Sequence, residues 1–141
     1  MKKILFGLAC LVSTQVTAGT ALINNWQIDS DGYTCIRLSN ISAVDGELTV
    51  KLYTANGAEY TGPLHDAYLI SSLSTPFTVP PQNTARFCVN KTGAFHVGYG
   101  TVESKVSSTN VGQVQFVGQA LYHTYNNRFS YSIPINQGNA F

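Results

Sequence analysis

Charge is scarce in this sequence, since Lys, Arg, Asp and Glu make up 11% of it, against about 25% in an average soluble protein. Eight basic residues are balanced by seven acidic ones, so we expect no basic surface that would attract the phosphates of a nucleic acid. Thr, Ser, Asn, Gly and Tyr are plentiful instead. Such a hydroxyl- and amide-rich composition is typical of extracellular β-proteins, and nucleic acid is not expected as a partner.

Motifs that carry chemistry are also missing. The sequence has neither a Gly-x-Ser-x-Gly elbow nor a His-Glu-x-x-His zinc motif. The three histidines, His65, His96 and His123, fall in different segments, where solvated strand or loop positions are the expected role. The stretch 29–32, Asp-Ser-Asp-Gly, begins like a calcium loop, but it lacks the later ligands of an EF-hand and predicts an ordinary turn. We therefore expect no metal and no cofactor.

A pair of carboxylates for glycoside hydrolysis is equally hard to find. One carboxyl of such a pair needs an apolar pocket that raises its pKa. Most acidic residues lie in predicted turns, and Glu103 alone falls inside a predicted strand with apolar neighbours. One buried acid does not make a pair, so we expect no catalytic residue. A small hydrolase remains the least favoured alternative.

Long apolar runs are confined to the start of the chain. Two lysines follow the first methionine, residues 4–16 are largely apolar, and Val-Thr-Ala at 16–18 resembles a cleavage site. The run is shorter than the roughly 20 residues that span a bilayer. We predict a signal peptide over residues 1–18 and an exported chain that is periplasmic or extracellular and does not span the membrane once processed. A lipoprotein modified at Cys10, or a buried or anchoring N-terminal helix, is the alternative.

Cysteine is rare, and removal of the leader leaves only Cys35 and Cys88. Exported proteins fold in an oxidising compartment, where two remaining cysteines are expected to pair. A zinc site is not supported, because neither cysteine has a nearby Cys or His at a compact spacing. We predict a Cys35–Cys88 disulfide, which would stabilise the fold by about 4 kcal/mol.

The remaining residues, 19–141, are enough for one domain. They show no long helical apolar period, whereas alternation by two recurs between turn residues. Leu22, Trp26 and Ile28 share one face of a first strand. Further strands are predicted over 33–42, 47–54, 84–90 and 95–105, the last led by alternating Phe95, Val97 and Tyr99. The proline-rich segment 58–82 is irregular, with a short strand over 77–79 and a helical turn as an option at 67–70.

About seven or eight short strands of this kind predict an all-β fold, an antiparallel immunoglobulin-like β-sandwich. A small closed β-barrel is the alternative. Both cysteines lie on the strand face opposite the apolar one. A disulfide between them would therefore join neighbouring strands on an outer face of the sheet, with a segment such as 58–75 as a possible cover.

The clearest local prediction is a hairpin around the Asn-Asn pair at 126–127. In its register Tyr125 faces Arg128, and His123 lies on the same polar face. His123, Tyr125 and Arg128 are therefore candidates for a binding cluster that could hold a sugar or a partner's carboxylate, and cross-strand bracing of the hairpin is the competing and favoured interpretation. The opposite, apolar face would carry Phe116, Ala120, Tyr122, Thr124, Phe129, Tyr131, Ile133 and Ile135.

Three segments carry a family resemblance: Asn-Ile-Ser at 40–42, Leu-Thr-Val-Lys-Leu-Tyr at 48–53 with Asn-Gly at 56–57, and the proline-bounded stretch 76–84. In this order they resemble small secreted bacterial immunoglobulin-like or fibronectin-like modules. The resemblance covers about half of the mature chain. It implies a sandwich and carries no catalytic residues.

Chaperone-usher pilins are also similar in leader, length, disulfide and hydroxyl-rich composition, which implies a fimbria-like subunit. The chain departs from them at Ala140, where pilins usually place Tyr, and at 19–21, which offers no long donor extension.

The distribution of aromatic residues gives the main functional indication. Tyr53, Tyr60 and Tyr68 are expected on outward faces or loops, as are His123 and Tyr125, and exposed tyrosines suit stacking on sugars or anchoring a protein. We expect an exported, non-enzymatic β-sandwich that acts by binding or assembly at the bacterial cell surface or in the periplasm. Its partner would be a protein or a polysaccharide, with self-assembly as a further option. A carbohydrate-binding module and a fimbria-like subunit are the alternatives.

Overall fold

The structure, a computed structural model, describes residues 19–89, 95–108, 110, 112–126 and 130–141. Its described part contains nine strands: β1 Gly19–Ile28, β2 Gly32–Asn40, β3 Gly46–Thr54, β4 Leu64–Tyr68, β5 Phe77–Val79, β6 Thr84–Val89, β7 His96–Val106, β8 Phe116–Thr124 and β9 Ser130–Pro134. A short 3-10 segment, Ile135–Gly138, follows β9. Every strand pair is antiparallel. The predicted all-β class is confirmed.

The predicted signal peptide, residues 1–18, lies outside the described residues. In the part of the chain that is described, no helix has the length and apolar character needed to cross a membrane.

The strands form one curled sheet with two groups of neighbours. In the first group β2 lies between β6 and β8, and the pairing continues to β4 and β9 at the two ends. In the second group the order is β1, β7, β3 and β5. Among the described residues β1 and β2 share one backbone pairing position, Ile28 with Tyr33, and Thr34 Oγ1 adds hydrogen bonds to the Gln27 backbone. Apolar side chains from both groups meet in one core cluster.

Alternation along the strands follows the sequence prediction closely in both groups. One side of each strand is buried because its apolar residues recur at every second position. The predicted inward residues that are buried are Thr34, Ile36 and Leu38 in β2, Leu48, Val50 and Leu52 in β3, Ala85, Phe87 and Val89 in β6, and Phe116, Ala120 and Tyr122 in β8.

Trp26 connects three strands of the second group. Its side chain has no exposed surface, and its indole Nε1 donates to the backbone oxygens of Tyr53 and Tyr99 at 3.1 and 3.0 Å. These bonds satisfy a buried polar group whose desolvation would otherwise cost free energy. They also fix β1 against β3 and β7.

The prediction that Leu22 shares the buried face of Trp26 and Ile28 is wrong. Leu22 is 48% exposed, whereas Ile23 is fully buried. The pairing of β1 with β7 shifts between Ile23 and Trp26, and a shift of this kind inserts an extra residue and reverses the alternation. The bulge therefore places Ile23 and Trp26 on the same side of the sheet.

The predicted strand over 95–105 exists as β7, but the aromatic residues that lead it point outward. Phe95 is 66% and Tyr99 42% exposed. The core-facing positions there are small, since Gly98 pairs with Trp26 and Gly100 with Ile23. A β-carbon on Gly100 would lie 2.7 Å from Leu52 Cδ2. At these two positions residues of β1 and β3 fill the space, which leaves no room for a β-carbon on β7.

The irregular segment 58–82 forms two short strands, β4 and β5, of which β5 was predicted. The optional helical turn at 67–70 is wrong. Ala67 and Tyr68 end β4, and Leu69 has a left-handed φ of 66°. The chain turns there so that Ile70, which is 5% exposed, enters the core.

Candidate binding site

The first group of strands has an outer face, defined here by Tyr33, Cys35, Arg37 and Ser39 of β2 and by their neighbours on β4, β6, β8 and β9. These four residues alternate with buried ones along β2. They lie opposite His123, Leu121, Gln119 and Val117 of β8, respectively. The outer face therefore carries rings at one end and polar side chains along its length.

Four rings meet at that end of the outer face, and we call them the aromatic cluster: Tyr33, His65, His123 and Tyr125. The Tyr33 ring lies at the centre. Its centroid is 4.8 Å from that of His65, 5.4 Å from that of Tyr125 and 6.1 Å from that of His123. These separations fall in the range of favourable ring contacts. Tyr33 thus contacts rings from two other parts of the chain, residue 65 and residues 123–125.

The turn between β1 and β2 positions the cluster. Asp29 Oδ1 accepts hydrogen bonds from the backbone nitrogens of Asp31 and Gly32, both at 2.8 Å, and the Tyr122 hydroxyl donates to the same oxygen at 2.9 Å. The Tyr125 backbone nitrogen in turn donates to Asp31 O at 2.8 Å. The Asp-Ser-Asp-Gly stretch is confirmed as a turn, and its carboxylate holds the ends of β2 and β8 together.

Gly32 allows this close approach. A β-carbon at this position would lie 2.2 Å from the backbone oxygen of His123 and 2.6 Å from the Tyr122 ring. Any larger residue would force β8 away from β2. Because Tyr33 and His123 are paired across these strands, the spacing of the cluster depends on this glycine.

The Cys35–Cys88 disulfide is present and lies directly beside the cluster. The two cysteines face each other across β2 and β6, and His65 of β4 lies opposite Cys88. The predicted bond between neighbouring strands is confirmed, although Cys88 is only 4% exposed. Within segment 58–75, which was considered as a cover for the disulfide, β4 pairs edge to edge with β6. The disulfide connects the strand that carries Tyr33 to the strand beside His65.

His65 has an unusual environment within the described part of the chain. Its Nδ1 atom is buried and has no hydrogen-bond partner there, while its ring meets that of Tyr33 at an interplanar angle of 66°. A buried polar atom without a partner costs free energy. His65 is therefore held in the cluster by ring packing and not by hydrogen bonding.

The hairpin that was predicted to carry the site has the expected register wherever it is described. Tyr131 lies opposite Tyr122 and Ser130 opposite His123, which is the register that places Tyr125 opposite Arg128. Ser130 Oγ and His123 Nδ1 are 3.2 Å apart. Arg128 itself lies outside the described residues, and so do Asn127 and Phe129. Its role in binding stays a prediction.

Tyr125 is the most exposed ring of the cluster, at 45%. Partial burial raises the pKa of Tyr125, and the negative charge of Asp29 and the Tyr33 phenol raise it further. Tyr125 therefore presents an accessible ring to a ligand.

Two other residues singled out from the sequence have different positions in the structure. Tyr60 was expected to be outward but is 5% exposed, and its ring packs 4.8 Å from that of Trp26. Burial raises the pKa of Tyr60.

Glu103 was expected to have apolar neighbours, but it lies on the outward side of β7, 3.7 Å from Lys51 Nζ. Tyr68 is 51% exposed, as predicted.

A second opening, of about 690 Å³, lies between segments 54–62 and 95–97. Some of its polar side chains are bonded within the protein. Thr54 Oγ1 donates to Ala58 O at 3.0 Å, and Ser74 donates to the Glu59 carboxylate. These bonds occupy the polar groups of Thr54 and Glu59, two of the residues that line the opening.

Sequence reasoning identified His123 and Tyr125 but missed Tyr33 and His65. The position of Tyr33 could have been found, because it lies two residues before Cys35 and shares its face. The described residues bring together no group of three His, Cys, Asp or Glu side chains that could hold a metal ion. The cluster is thus suited to stacking and hydrogen bonding. Comparison with protein-family models, curated proteins and solved structures finds no match for this chain.

Proposed function

We propose that the chain is an exported, non-enzymatic protein of immunoglobulin-like β-sandwich type that binds a ligand at the bacterial cell surface or in the periplasm. The aromatic cluster is its binding surface. The observation that carries the proposal is the contact of Tyr33 with three other rings on one outer face. The predicted leader, the disulfide and the hydroxyl-rich composition support export.

The arrangement of the strands favours a sandwich over a closed barrel. The two groups of strands share one core, yet the described pairing of β1 with β2 has a single backbone register position. A closed barrel has no edge strands. In the described pairing β4, β5 and β9 each have a single neighbouring strand. Such edge strands fit two facing sheets better than they fit a closed barrel.

The surroundings of the cluster favour a polysaccharide as the ligand. Aromatic rings on the surface of a sheet can stack against the apolar faces of sugar rings, and tyrosine does so at a low entropy cost. Hydroxyl and amide groups lie beside them: Ser132 Oγ donates to Gln119 Oε1 at 3.2 Å, next to the Ser130–His123 contact. Such groups match the hydroxyls of a sugar.

Self-assembly through strand pairing is the weaker alternative. Edge strands that recruit other chains are usually long and regular, and proline interrupts such pairing. Here β4 follows Pro63 and has a left-handed Asp66, β5 lies between Pro76 and Pro80, and β9 ends at Pro134. These features protect the three edges and count against a fimbria-like subunit.

A screen of immobilised bacterial polysaccharides with the exported protein tests the proposal. We expect binding that Tyr125→Ala weakens at least about five-fold, which corresponds to about 1 kcal/mol. The control is Tyr99→Ala, because Tyr99 is 42% exposed and lies on β7, in the other group of strands. The melting temperatures of both variants should stay close to that of the wild type, since surface substitutions change stability by roughly 0.5 kcal/mol or less.

Equal loss of binding in both variants would contradict the proposed site. Release of sugar products would contradict the non-enzymatic assignment. Light scattering after size exclusion should give a discrete monomer, and ordered oligomers or fibres would favour assembly instead.

A further inference from the structure

The outer face continues beyond the aromatic cluster to a pair of arginines. Arg37 of β2 lies opposite Gln119 of β8 on one side and Arg86 of β6 on the other. Arg86 is paired with Asp66 at 3.2 Å. Arg37 is exposed and makes no salt bridge or side-chain hydrogen bond within the described chain. The outer face therefore carries an uncompensated positive charge at Arg37.

A depression of about 380 Å³ lies beside Arg37. Its other polar lining residues are Ser39, Thr84 and Gln119. The hydroxyls of Ser39 and Thr84 are 2.8 Å apart. A guanidinium next to hydroxyl and amide groups is suited to a carboxylate that is itself surrounded by hydroxyls, because arginine binds carboxylates through two parallel hydrogen bonds.

The depression and the cluster are aligned along one strand. Tyr33 and Arg37 share a face of β2 and are four residues apart, which corresponds to about 13 Å. A short oligosaccharide can span this distance with one ring on Tyr33 and another beside Arg37. Of the acidic groups near this path, Asp66 is paired with Arg86, and Asp29 accepts hydrogen bonds from backbone nitrogens and from the Tyr122 hydroxyl. In the second group of strands, Glu47 and Glu103 are paired with Lys105 and Lys51.

We propose that the ligand of the outer face is an acidic glycan, with a sugar ring stacked on the aromatic cluster and a carboxylate bound by Arg37 in the depression. This proposal rests on the proposed function and adds the chemical class of the ligand. An acidic peptide would satisfy Arg37 as well, but the hydroxyl and amide groups around the depression match a sugar better than an extended backbone. The protected strand edges also disfavour peptide addition.

Binding to paired glycans tests this inference. The probes are polygalacturonate, hyaluronan and alginate, their methyl-esterified forms, and neutral dextran and mannan. We expect at least one acidic glycan to bind and its methyl ester to bind at least ten-fold more weakly. Affinity should fall with added salt, as for any exposed charge pair. Arg37→Gln should weaken binding at least ten-fold. Lys105→Gln removes a charge from the other group of strands and should leave binding unchanged.

Three results would overturn the inference. One is neutral glycans binding as tightly as acidic ones, another is unchanged affinity in Arg37→Gln, and the third is binding of poly-glutamate without binding of any glycan. If Tyr125→Ala still weakens binding in those cases, the proposed binding surface stands and only the ligand class is wrong. If Tyr125→Ala has no effect while Arg37→Gln does, the proposed aromatic site is wrong.

Discussion

Removal of the disulfide should cost this protein much of its stability. Cys35 and Cys88 are 53 positions apart, and a cross-link of that span lowers the entropy of the unfolded chain enough to stabilise the fold by about 4 kcal/mol. Typical domains have a total stability of about 5–15 kcal/mol. The Cys35→Ala/Cys88→Ala double variant should therefore unfold at a much lower urea concentration than the wild type.

The sheet itself should survive this change. β2 pairs with β6 through five residue pairs, from Cys35 with Cys88 to Ser39 with Thr84, and it pairs with β8 along its whole length. We expect a native circular dichroism spectrum and a larger dependence of the unfolding free energy on urea, because the unfolded chain without a cross-link exposes more surface.

Equilibrium urea unfolding is the assay, and reduced wild-type protein is the control. Cys88 is only 4% exposed, so alanine there also leaves a small cavity, whereas reduction keeps both sulfur atoms. The loss in the reduced protein thus isolates the cross-link. A loss below about 1 kcal/mol in both samples would refute the loop-entropy reasoning. Mass spectrometry should independently show a mass lower by two hydrogens and a peptide that links the two cysteines.

Two further substitutions test the packing around the cluster. Tyr122→Phe removes the hydroxyl that donates to Asp29 at 2.9 Å and should lower the unfolding free energy by about 1.5 kcal/mol at neutral pH. Burial, followed by the bond to Asp29, raises the pKa of Tyr122, so the unfolded chain loses this proton first and stability falls as pH rises above about 10. Tyr122→Phe should make this alkaline decline shallower, and an unchanged slope in pH-dependent urea unfolding would contradict the assignment. His65→Phe removes a buried ring nitrogen that has no hydrogen-bond partner in the described chain. It should raise the unfolding free energy by about 1 kcal/mol and weaken ligand binding. A lower melting temperature would show that the nitrogen is hydrogen-bonded in solution.

Much of the fold followed from local patterns. Alternation predicted the buried faces of β2 and β3, and the register of the β8–β9 hairpin followed from the Asn-Asn turn. The compartment and the cysteine count predicted the disulfide. These features depend on neighbours in the sequence or on a count, so they can be deduced without knowing how distant strands pair.

The errors arose where distant strands determine the outcome. Leu22 is exposed because β1 contains a bulge opposite Gly98 and Gly100, and nothing in β1 alone indicates it. Tyr60 is buried because Trp26 lies across from it. The contact of Tyr33 with His65 depends on the pairing of β4 with β6, and β4 lies in a proline-rich segment without alternation.

The most direct test of glycan binding at the outer face is an NMR titration of the exported protein with the glycan it binds. Binding at the outer face predicts amide chemical-shift changes concentrated at Tyr33, His123 and Tyr125, extending to Arg37. Tyr53 and Tyr99, whose rings stack 5.2 Å apart on the second group of strands, should not shift. Changes centred on Tyr53 and Tyr99, with the aromatic cluster unaffected, would contradict the account.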